Sequence, residues 1–442
     1  MKCINQHQMT INPSFQKFSG LIIFFFLFSF FWCCKARAQN VRALNLALTN
    51  GQWFNGQGFE QRTFFSVNGK FVFTKPPRID STIDLKGTYI VPPFGDAHNH
   101  NIGTGVEEMD KKAIQNFLTN GVFYVKIQGN LPLNADMKKR LSLNRYNSVD
   151  VMLAQGSLTA TGGHPIFLVE KILLPQGYFP GYTKETLKDH RYFTIDSESD
   201  LKTKWPLILK LKPDFIKTFL SGSGEYSKYK DDTSVLDKGL DPELLAKIVL
   251  KAHAQKLKVS AHVTNADDFH NAVSAGIDEI SHLPRFISGK ANKPITTKDA
   301  QLAARRKIVV ITTVAVSIFQ GRLVKEADFP QARKNQIADL KLLLESGVPL
   351  AIGSDNPSDN SVKEVFYLKE LGIFDNLALL KMWTETTAHA IFPNRKIGAL
   401  REGYEASFIA LEGNPVEDFN NIKKIKYLFK QGFLLSPDIN KK

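Results

Sequence analysis

The sequence lacks cysteine over almost its entire length. Its three cysteines, Cys3, Cys33 and Cys34, all lie within the first 34 of 442 residues. A disulfide framework, a thiolate nucleophile and a cysteine metal site are therefore excluded from everything that follows. With 43% hydrophobic and 23% charged residues, the composition is typical of a globular protein and excludes a wholly disordered or fibrous chain.

A long apolar run stands near the N-terminus. Leu21–Trp32 follows Lys2 and Lys17, and it precedes the small residues of Ala36-Arg37-Ala38. A basic stretch, an apolar stretch and a cleavage site in this order are typical of a secretory signal peptide. We therefore expect residues 1–38 to be a signal peptide cleaved after Ala38, and the mature protein to be exported to the periplasm or the extracellular space.

Two alternatives to cleavage remain open, an uncleaved membrane anchor and a lipoprotein. Against the anchor, the apolar stretch is about 14 residues long, short of the ~20 that span a bilayer. Against the lipoprotein, bulky Phe31 and Trp32 precede Cys33, where small residues are expected. We expect no stable membrane span after cleavage.

The charge pattern argues against nucleic-acid binding. Residues 1–38 contain four basic residues and no acidic one, so the formal net charge falls from +14 to +10 in the mature chain. The remaining basic residues are scattered among acidic ones, as on solvated helix faces, and form no basic patch. We expect no nucleic-acid partner.

Both ends of the chain have the pattern of short β-strands. The N-terminal part alternates β-branched and aromatic runs with Asn50-Gly51 and Asn68-Gly69, dipeptides typical of hairpin turns. We expect a small β-sandwich domain built from both chain termini, residues 39–90 and 393–442. Its strand candidates are Val41–Leu48, Thr63–Val67, Lys70–Thr74, Ala406–Leu411, Ile425–Phe429 and Gly432–Leu435.

Between these ends, apolar strand candidates alternate with helical patterns such as Pro242–Gln255. Eight strands separated by helices predict an α/β fold with a (β/α)8 TIM barrel over residues 91–392. The candidates are Thr88–Phe94, Val122–Gln128, Asp150–Gln155, Asp214–Leu220, Lys258–Val263, Gly276–Leu283, Ile308–Val314 and Val348–Gly353.

Side chains that can bind metal stand near the ends of these strands, where a barrel gathers its active site. Because His98 and His100 are two residues apart, both imidazoles can face one ion. Neutral imidazoles with a carboxylate suit Zn²⁺ or a similar divalent ion and leave positions for water. The candidates are His98, His100, Lys217, His262, His282 and Asp355.

These residues stand in stretches that resemble the amidohydrolase superfamily. The likeness is to members with two metal ions bridged by a carboxylated lysine, in the dipeptidase-like and imidazolonepropionase-like branches. It covers essentially the whole mature chain. The matching stretches are Gly87–His100, Ile216-Lys217, His262, Ala275–His282, Gly353-Ser354-Asp355, Thr387–Ala390 and Gly398–Phe408.

The resemblance implies a site with two zinc ions. His98 and His100 would hold the more buried ion, and His262 and His282 would hold the second. Lys217, once carboxylated, would bridge both ions. An unmodified ammonium would be repelled by two dications, so the alternative is an ordinary barrel lysine that pairs with an acid.

The resemblance also implies the catalytic chemistry. Asp355 would bind the first ion and act as general base and acid, taking a proton from the bridging water and passing it to the departing nitrogen. Hydroxide generated at the metal ions would attack the scissile carbonyl, which the ions also polarise.

Three further residues are candidate substrate contacts. His164 ends Thr161-Gly162-Gly163-His164 and resembles a histidine that some family members place near the scissile carbonyl; the alternative is a plain loop histidine. Tyr226 follows strand four and resembles a substrate-contacting tyrosine, with loop packing as its alternative. Arg285 would pair with a substrate carboxylate or form a surface salt bridge.

The sequence therefore predicts an exported, metal-dependent hydrolase that cleaves a linear or cyclic amide C–N bond. The expected partner is a small-molecule amide or dipeptide-like substrate, and homo-oligomers are common among the proteins that the chain resembles. The competing hypothesis is a catalytically inactive barrel that binds small molecules. The complete ligand set argues against it, because a decayed site usually loses a ligand.

Overall fold

The computed structural model of the chain describes residues 44–232, 235, 238–316 and 324–435. The predicted signal peptide, all three cysteines and the first residues of the candidate strand Val41–Leu48 lie outside these ranges. Within them, none of the helices has both the length and the apolar composition that crossing a bilayer requires.

The described elements alternate between strands and helices in the middle of the chain. The strands are β1 (Leu46–Phe54), β2 (Phe59–Val67), β3 (Lys70–Val72), β4 (Ser81–Asp84), β5 (Tyr89–Val91), β6 (Phe94–Asn99), β7 (Val122–Ile127), β8 (Asp150–Leu153), β9 (Ser157–Thr159), β10 (Phe193–Thr194), β11 (Ile216–Phe219), β12 (Val259–His262), β13 (Glu279–Ile280), β14 (Val309–Ile311), β15 (Leu350–Ala351), β16 (Phe408–Leu411), β17 (Ile425–Lys430) and β18 (Phe433–Leu434). The α-helices are α1 (Glu107–Thr119), α2 (Ala135–Arg140), α3 (Lys184–Leu187), α4 (Glu198–Lys210), α5 (Tyr226–Tyr229), α6 (Pro242–Ala254), α7 (Ala266–Ala275), α8 (Thr297–Arg305), α9 (Phe329–Glu345), α10 (Val362–Glu370), α11 (Asn376–Lys381) and α12 (Thr387–Ile391).

Strands from both ends of the chain form one mixed sheet. Its order is β18-β17-β16-β5-β1-β2-β3, and β4 pairs with β1. The two chain ends meet where β16 pairs antiparallel with β5, with Ala410 opposite Ile90. A shared terminal β-unit is thus present as one sheet, and both the two-sheet sandwich and the domain limits at residues 90 and 393 stay predictions.

The two Asn-Gly dipeptides of this sheet behave differently. Asn68 and Gly69 have φ of 50° and 74° and form the two-residue turn between β2 and β3, as predicted. Asn50, with φ 56°, instead lies within β1, and the register against β2 shifts between Leu48 and Gly51. The prediction of a hairpin turn there is wrong, because the positive φ is accommodated by a β-bulge that lets the strand continue.

The middle of the chain forms two parallel sheets, β6-β7-β8 and β10-β9-β11-β12-β13-β14-β15. Backbone hydrogen bonds link the two sheets at two places: Ala97 N donates to Ile352 O, and Asp214 N, just before β11, donates to Leu153 O, each at 2.9 Å. The α/β class predicted from the sequence is confirmed. The closed eight-stranded barrel stays a prediction, since these contacts link the two sheets without a continuous strand ladder.

The first parallel strand begins later than the sequence predicts. The predicted strand Thr88–Phe94 is divided: β5 belongs to the terminal sheet, and β6 is the first parallel strand. Pro92 and Pro93 separate them, and proline, which has no backbone N–H, cannot continue a ladder. The boundary prediction Thr88–Phe94 is therefore wrong, and β6, which carries His98 near its end, begins at Phe94.

The helices near the C-terminus fix β6 in place. The ring of Phe94 stacks on Trp383, with centroids 3.7 Å apart, and Trp383 Nε1 donates to Gly95 O at 2.9 Å. A Cβ on Gly95 would lie 2.6 Å from Thr387 Cγ2, so a larger residue would push α12 away. The strand that carries the predicted ligands thus rests on a close-packed, hydrogen-bonded surface.

A buried ion-pair network joins the terminal sheet to β8. Lys430 Nζ lies 2.7 Å from Asp150 Oδ1 and 2.6 Å from Ser148 O. Arg395 Nη2 lies 2.8 Å from Asp150 Oδ2 and 2.7 Å from Glu405 Oε2. Because Lys430 and Asp150 are both buried, removal of one partner leaves a buried charge without its full complement of contacts.

We therefore expect Lys430→Met to lower the free energy of unfolding by about 3–5 kcal/mol, the usual cost of breaking a buried ion pair. Urea denaturation measures this change. Lys426→Met is the matched control, since Lys426 lies exposed on the same strand and its loss should cost within about 0.5 kcal/mol. Equal midpoints for the two variants would show that the network does not stabilise the fold.

Candidate metal centre

The chain segments that carry the first ligand set approach one another closely. Asp355 follows β15 and lies beside β6, where the backbone N–H groups of Ser354 and Asp355 donate to His98 O at 3.1 and 2.7 Å. A Cβ on Gly353 would lie 2.7 Å from His98 Cβ and 2.5 Å from Ile311 Cγ2. Only glycine therefore permits this approach, which brings the Asp355 carboxylate to the histidines.

His98, His100 and Asp355 form a nearly equilateral triangle of ligand atoms. The two Nε2 atoms are 3.2 Å apart, and each is 3.4 Å from Asp355 Oδ1. Ligands at 2.0–2.1 Å from a tetrahedral zinc ion are separated by about 3.3 Å, since a tetrahedron's edge is about 1.63 times its centre-to-vertex distance. The donor set and its spacing therefore fit a divalent ion, as the sequence predicts.

Hydrogen bonds fix which imidazole nitrogens face the triangle's centre. His98 Nδ1 is 2.9 Å from Ser281 O, and His100 Nδ1 is 3.3 Å from Gly129 O. A carbonyl oxygen only accepts, so in the neutral rings each Nδ1 carries the hydrogen and each Nε2 presents a lone pair. Burial lowers the pKa of His98 well below its usual value, which keeps that ring neutral.

The carboxylate completes the triangle as an anion. Burial alone would raise the pKa of Asp355, but the positive charge of Arg285 helps to lower it below its usual value. Arg285 Nη2 lies 3.1 Å from Asp355 Oδ2. Oδ1 is thereby left to face the two histidines.

Asp96 supports this arrangement by binding Ser354, the residue before Asp355. The sequence prediction did not give Asp96 a role. It accepts from Ser354 Oγ at 2.7 Å, Ser354 N at 2.9 Å and Asn99 Nδ2 at 3.2 Å. Burial raises the pKa of Asp96 to about 7, although the bonds from Ser354 act in the opposite direction. The sequence could have indicated a supporting role for Asp96, because it stands two residues before His98 in the Asp-x-His-x-His stretch.

His262 and His282 lie next to this cluster without joining it. The centroid of His282 is 4.4 Å from that of His98 and 4.5 Å from that of His262. However, His282 Nδ1 is bonded to Thr313 Oγ1 at 2.8 Å, and His262 Nε2 contacts Thr264 Oγ1 at 3.3 Å. Among the described residues, only His98, His100 and Asp355 converge as a metal-type cluster, so the second ion stays a prediction.

Lys217 is fully buried on β11, and its ammonium faces a hydroxyl. Lys217 Nζ donates to Ser281 Oγ at 2.7 Å, and burial lowers the pKa of Lys217 to about 7. Another buried lysine, Lys126, does pair directly with an acid, since its Nζ lies 2.7 Å from Glu279 Oε2. Within the described ranges Lys217 forms no direct ion pair, and both its carboxylation and the alternative of an ordinary barrel lysine stay predictions.

The three predicted substrate contacts have different surroundings. His164 stacks on His262, with centroids 4.8 Å apart, and so lies beside the predicted second metal pair. Arg285 contacts Asp355 and, at 3.4 Å, His282 Nδ1, so its ion pair lies at the cluster, and its contact with a substrate stays a prediction. Tyr226 begins α5 and is half-buried, and none of its described contacts reaches the cluster.

Arg191 is a buried charge that the sequence did not single out. It is 6% exposed, and within the described structure its Nε and Nη1 have no hydrogen-bond partner. Burial lowers the pKa of Arg191 to about 10. Gly129, with φ 142°, makes room for it, since a Cβ there would lie 2.9 Å from Nη1. The carbonyl of the same Gly129 contacts His100. The sequence could not have identified Arg191, because a single arginine in a loop forms no recognisable motif.

Comparison with known proteins identifies the family. The model of the amidohydrolase family matches residues 208–435, just over half of the chain. The chain belongs to the amidohydrolase family. This confirms the resemblance predicted from the sequence, and the expected enzyme class, a hydrolase of carbon–nitrogen bonds, agrees with that family. The family is metal-dependent, in agreement with the His98–His100–Asp355 cluster.

The similarity to individual proteins is more limited. Ochratoxinase from Aspergillus niger is 32% identical over 203 residues, which are 44% of this chain and 41% of that enzyme. The crystal structure of A. niger ochratoxinase has a TM-score of 0.69 at 21% identity and covers 90% of this chain and 96% of that one. A prolidase complexed with N-methylphosphonate-L-proline has a TM-score of 0.67 at 17% identity, covering 89% of this chain and 99% of its own. These structures show a shared amidohydrolase fold.

The geometry of the cluster predicts a response to metal. Chelation should lower the melting temperature of the protein, and zinc at 100 times its dissociation constant should restore about 2.7 kcal/mol of stability. Differential scanning calorimetry with and without zinc measures this. His98→Ala/His100→Ala should abolish the response, whereas His389→Ala, at an exposed site on α12, should retain it. A wild-type melting temperature that is insensitive to both chelator and zinc would contradict the metal centre.

Proposed function

We propose that the protein is an exported, metal-dependent hydrolase that cleaves the C–N bond of a small linear or cyclic amide. One observation carries the proposal: three lone-pair donors, His98 Nε2, His100 Nε2 and Asp355 Oδ1, lie 3.2–3.4 Å apart in a chain of the amidohydrolase family. The order of the parallel strands supports a closed (β/α)8 barrel around this site. Export rests on the signal peptide predicted over residues 1–38.

The proposed site would hold two zinc ions. His98, His100 and Asp355 would hold the first ion, and His262 and His282, whose rings are 4.5 Å apart, would hold the second. Lys217 would serve as the shared ligand once carboxylated: its neutral amine adds to CO2, forming an N–C bond and releasing one proton. When bound, the ions supply an activated water and polarise the scissile carbonyl.

The protein's own groups then move the proton and orient the substrate. Asp355 takes a proton from the attacking water and delivers it to the leaving nitrogen. Arg285, 3.1 Å from Asp355 Oδ2, holds the carboxylate in the orientation that this transfer requires. His164, stacked on His262, donates a hydrogen bond to the carbonyl oxygen, and Tyr226 closes the substrate side of the loop after β11.

The substrate class follows from the relatives and from Arg191. Ochratoxinase and prolidase are names of enzymes that this chain resembles, and we propose a dipeptide-like or N-acyl amino acid substrate. A buried guanidinium without an acidic partner carries a desolvation cost that an anionic ligand offsets. Gly129 lies between Arg191 and His100 in space, since it packs against the guanidinium on one side and its carbonyl contacts His100 on the other. Arg191 is therefore placed to bind the substrate carboxylate.

Asp355→Asn tests the chemical step. The amide cannot take a proton from water, so we expect kcat/KM to fall on the order of 10³-fold, within the usual range for a general acid–base group. Hydrolysis of N-acyl amino acids and dipeptides by zinc-loaded protein provides the assay. Asp136→Asn, an exposed change on α2, should leave kcat/KM unchanged. Wild-type protein that binds zinc and these amides without cleaving them would instead be an inactive binding barrel.

Arg191→Met tests the substrate class separately. We expect kcat/KM for an N-acyl amino acid to fall about 10–100-fold, the usual worth of a hydrogen bond to a charged group. The corresponding C-terminal amide, which has no carboxylate, should be hydrolysed at a rate close to that of the wild type. Arg78→Met, at an exposed position, is the control. Equal losses for the acid and the amide would exclude a carboxylate contact.

A further inference from the structure

Ser281 contacts two predicted metal ligands at once. Its hydroxyl accepts from Lys217 Nζ at 2.7 Å, and its backbone carbonyl accepts from His98 Nδ1 at 2.9 Å. The next residue in the chain is His282, a third predicted ligand. Ser281 is fully buried, so water does not substitute for either contact. Through this one residue, the position of Lys217 is tied to the position of His98.

The hydroxyl of Ser281 belongs to a series of hydrogen bonds in which every donor points the same way. Ser260 Oγ donates to Glu279 Oε1 at 2.7 Å, because a carboxylate only accepts. Ser260 has no second hydrogen to give, so across the 2.8 Å contact between the two serines Ser281 must donate. Its lone pair is then left for Lys217. The order Lys217 to Ser281 to Ser260 to Glu279 has one consistent direction of donation.

Glu279, the last acceptor in this series of hydrogen bonds, is itself held in place. Glu279 Oε2 lies 2.7 Å from Lys126 Nζ, and Glu279 Oε1 accepts from Gln128 Nε2 at 2.9 Å. Both partners are buried side chains on or next to β7. Glu279 is therefore a fixed anion, and the orientation that it imposes on Ser260 reaches Lys217 two hydrogen bonds later.

This direction matters for a modified lysine. The nitrogen of a lysine carbamate is planar and carries three substituents: Cε, one hydrogen and the carboxylate carbon. Packing around the buried Lys217 side chain restricts the direction of Cε, and a hydrogen bond to Ser281 Oγ fixes the hydrogen. The carboxylate is then confined to the one remaining direction, in the plane of the nitrogen.

We propose that Ser281 is a positioning residue that orients the Lys217 carbamate and, through its carbonyl, the imidazole of His98. The inference rests on the proposed function and adds a named determinant of the bridging ligand. Ser281 does not contact the substrate or the reacting atoms. Its role is to lower the cost of ordering the bridge, so its loss affects carbamate occupancy before it affects the chemical step.

The test measures the carbamate directly. Zinc-loaded protein is equilibrated with ¹³C-bicarbonate, the carbamate signal is followed by ¹³C NMR, and bound zinc per chain is measured by elemental analysis. In Ser281→Ala we expect the bicarbonate concentration for half-occupancy to rise about tenfold, as for the loss of one hydrogen bond, and the zinc content to fall at low bicarbonate. Ser260→Ala leaves the contact between Lys217 and Ser281 in place, so it should raise the bicarbonate concentration for half-occupancy by a smaller factor.

Ser157→Ala is the matched control. Ser157 is a buried serine opposite Lys217 on β9, and its hydroxyl has no partner among the described residues, so the variant should match the wild type. Unchanged occupancy in both Ser281→Ala and Ser260→Ala, with a clear wild-type signal, would overturn the positioning role and leave the proposed function intact. A zinc-loaded wild type without any carbamate signal would overturn the bridging role of Lys217 and this inference with it.

Discussion

Two imidazole lone pairs and a carboxylate converge within 3.4 Å of one another, and without a cation between them this convergence is repulsive. The carbonyls of Ser281 and Gly129 prevent either ring from turning its N–H inward without giving up a hydrogen bond. The protein therefore holds three acceptors together at a cost that metal binding offsets. Much of the surrounding structure maintains that arrangement.

The supporting structure acts mainly through close backbone approach. Gly353 lets the segment after β15 touch β6, and Gly95 lets β6 rest on α12. Trp383 stacks on Phe94 and bonds the backbone of Gly95, so β6 is fixed on the side away from the ligands. At both glycines a single Cβ would force atoms closer than van der Waals contact. Close packing at these glycines therefore acts together with the hydrogen bonds that orient the ligands themselves.

The sequence was most informative where chemistry and topology coincide. His98, His100 and Asp355 could be found because parallel strands deliver their carboxyl ends to one place, and because histidine two residues from histidine is a simple pattern. The strand boundary at Pro92 and Pro93 was missed because an apolar run does not show which sheet it joins. The bulge at Asn50 was missed since a dipeptide that permits positive φ does not specify whether the chain reverses.

Contacts between distant residues were beyond the reach of the sequence. Ser281 stands next to a predicted ligand, yet nothing in its neighbours shows that its hydroxyl faces Lys217 from a different strand. Arg191 has no pattern around it at all. Both depend on three-dimensional packing of elements more than 60 positions apart along the chain, as the 64-residue separation of Lys217 and Ser281 illustrates.

Lys126 on β7 and Lys217 on β11 are both buried, yet their surroundings differ. Lys126 lies 2.7 Å from the carboxylate of Glu279 and 4.3 Å from the centroid of the Phe215 ring, surroundings that stabilise an ammonium. Lys217, equally buried, also lies over an aromatic ring, 5.1 Å from the centroid of Phe219, but its Nζ donates to the hydroxyl of Ser281 and not to a carboxylate. Glu279 is shared between them, directly with Lys126 and through two serines with Lys217. The acid thus pairs directly with Lys126 and, through the two serines, orients the hydroxyl that Lys217 contacts, which is why carboxylation is proposed for Lys217 and not for Lys126.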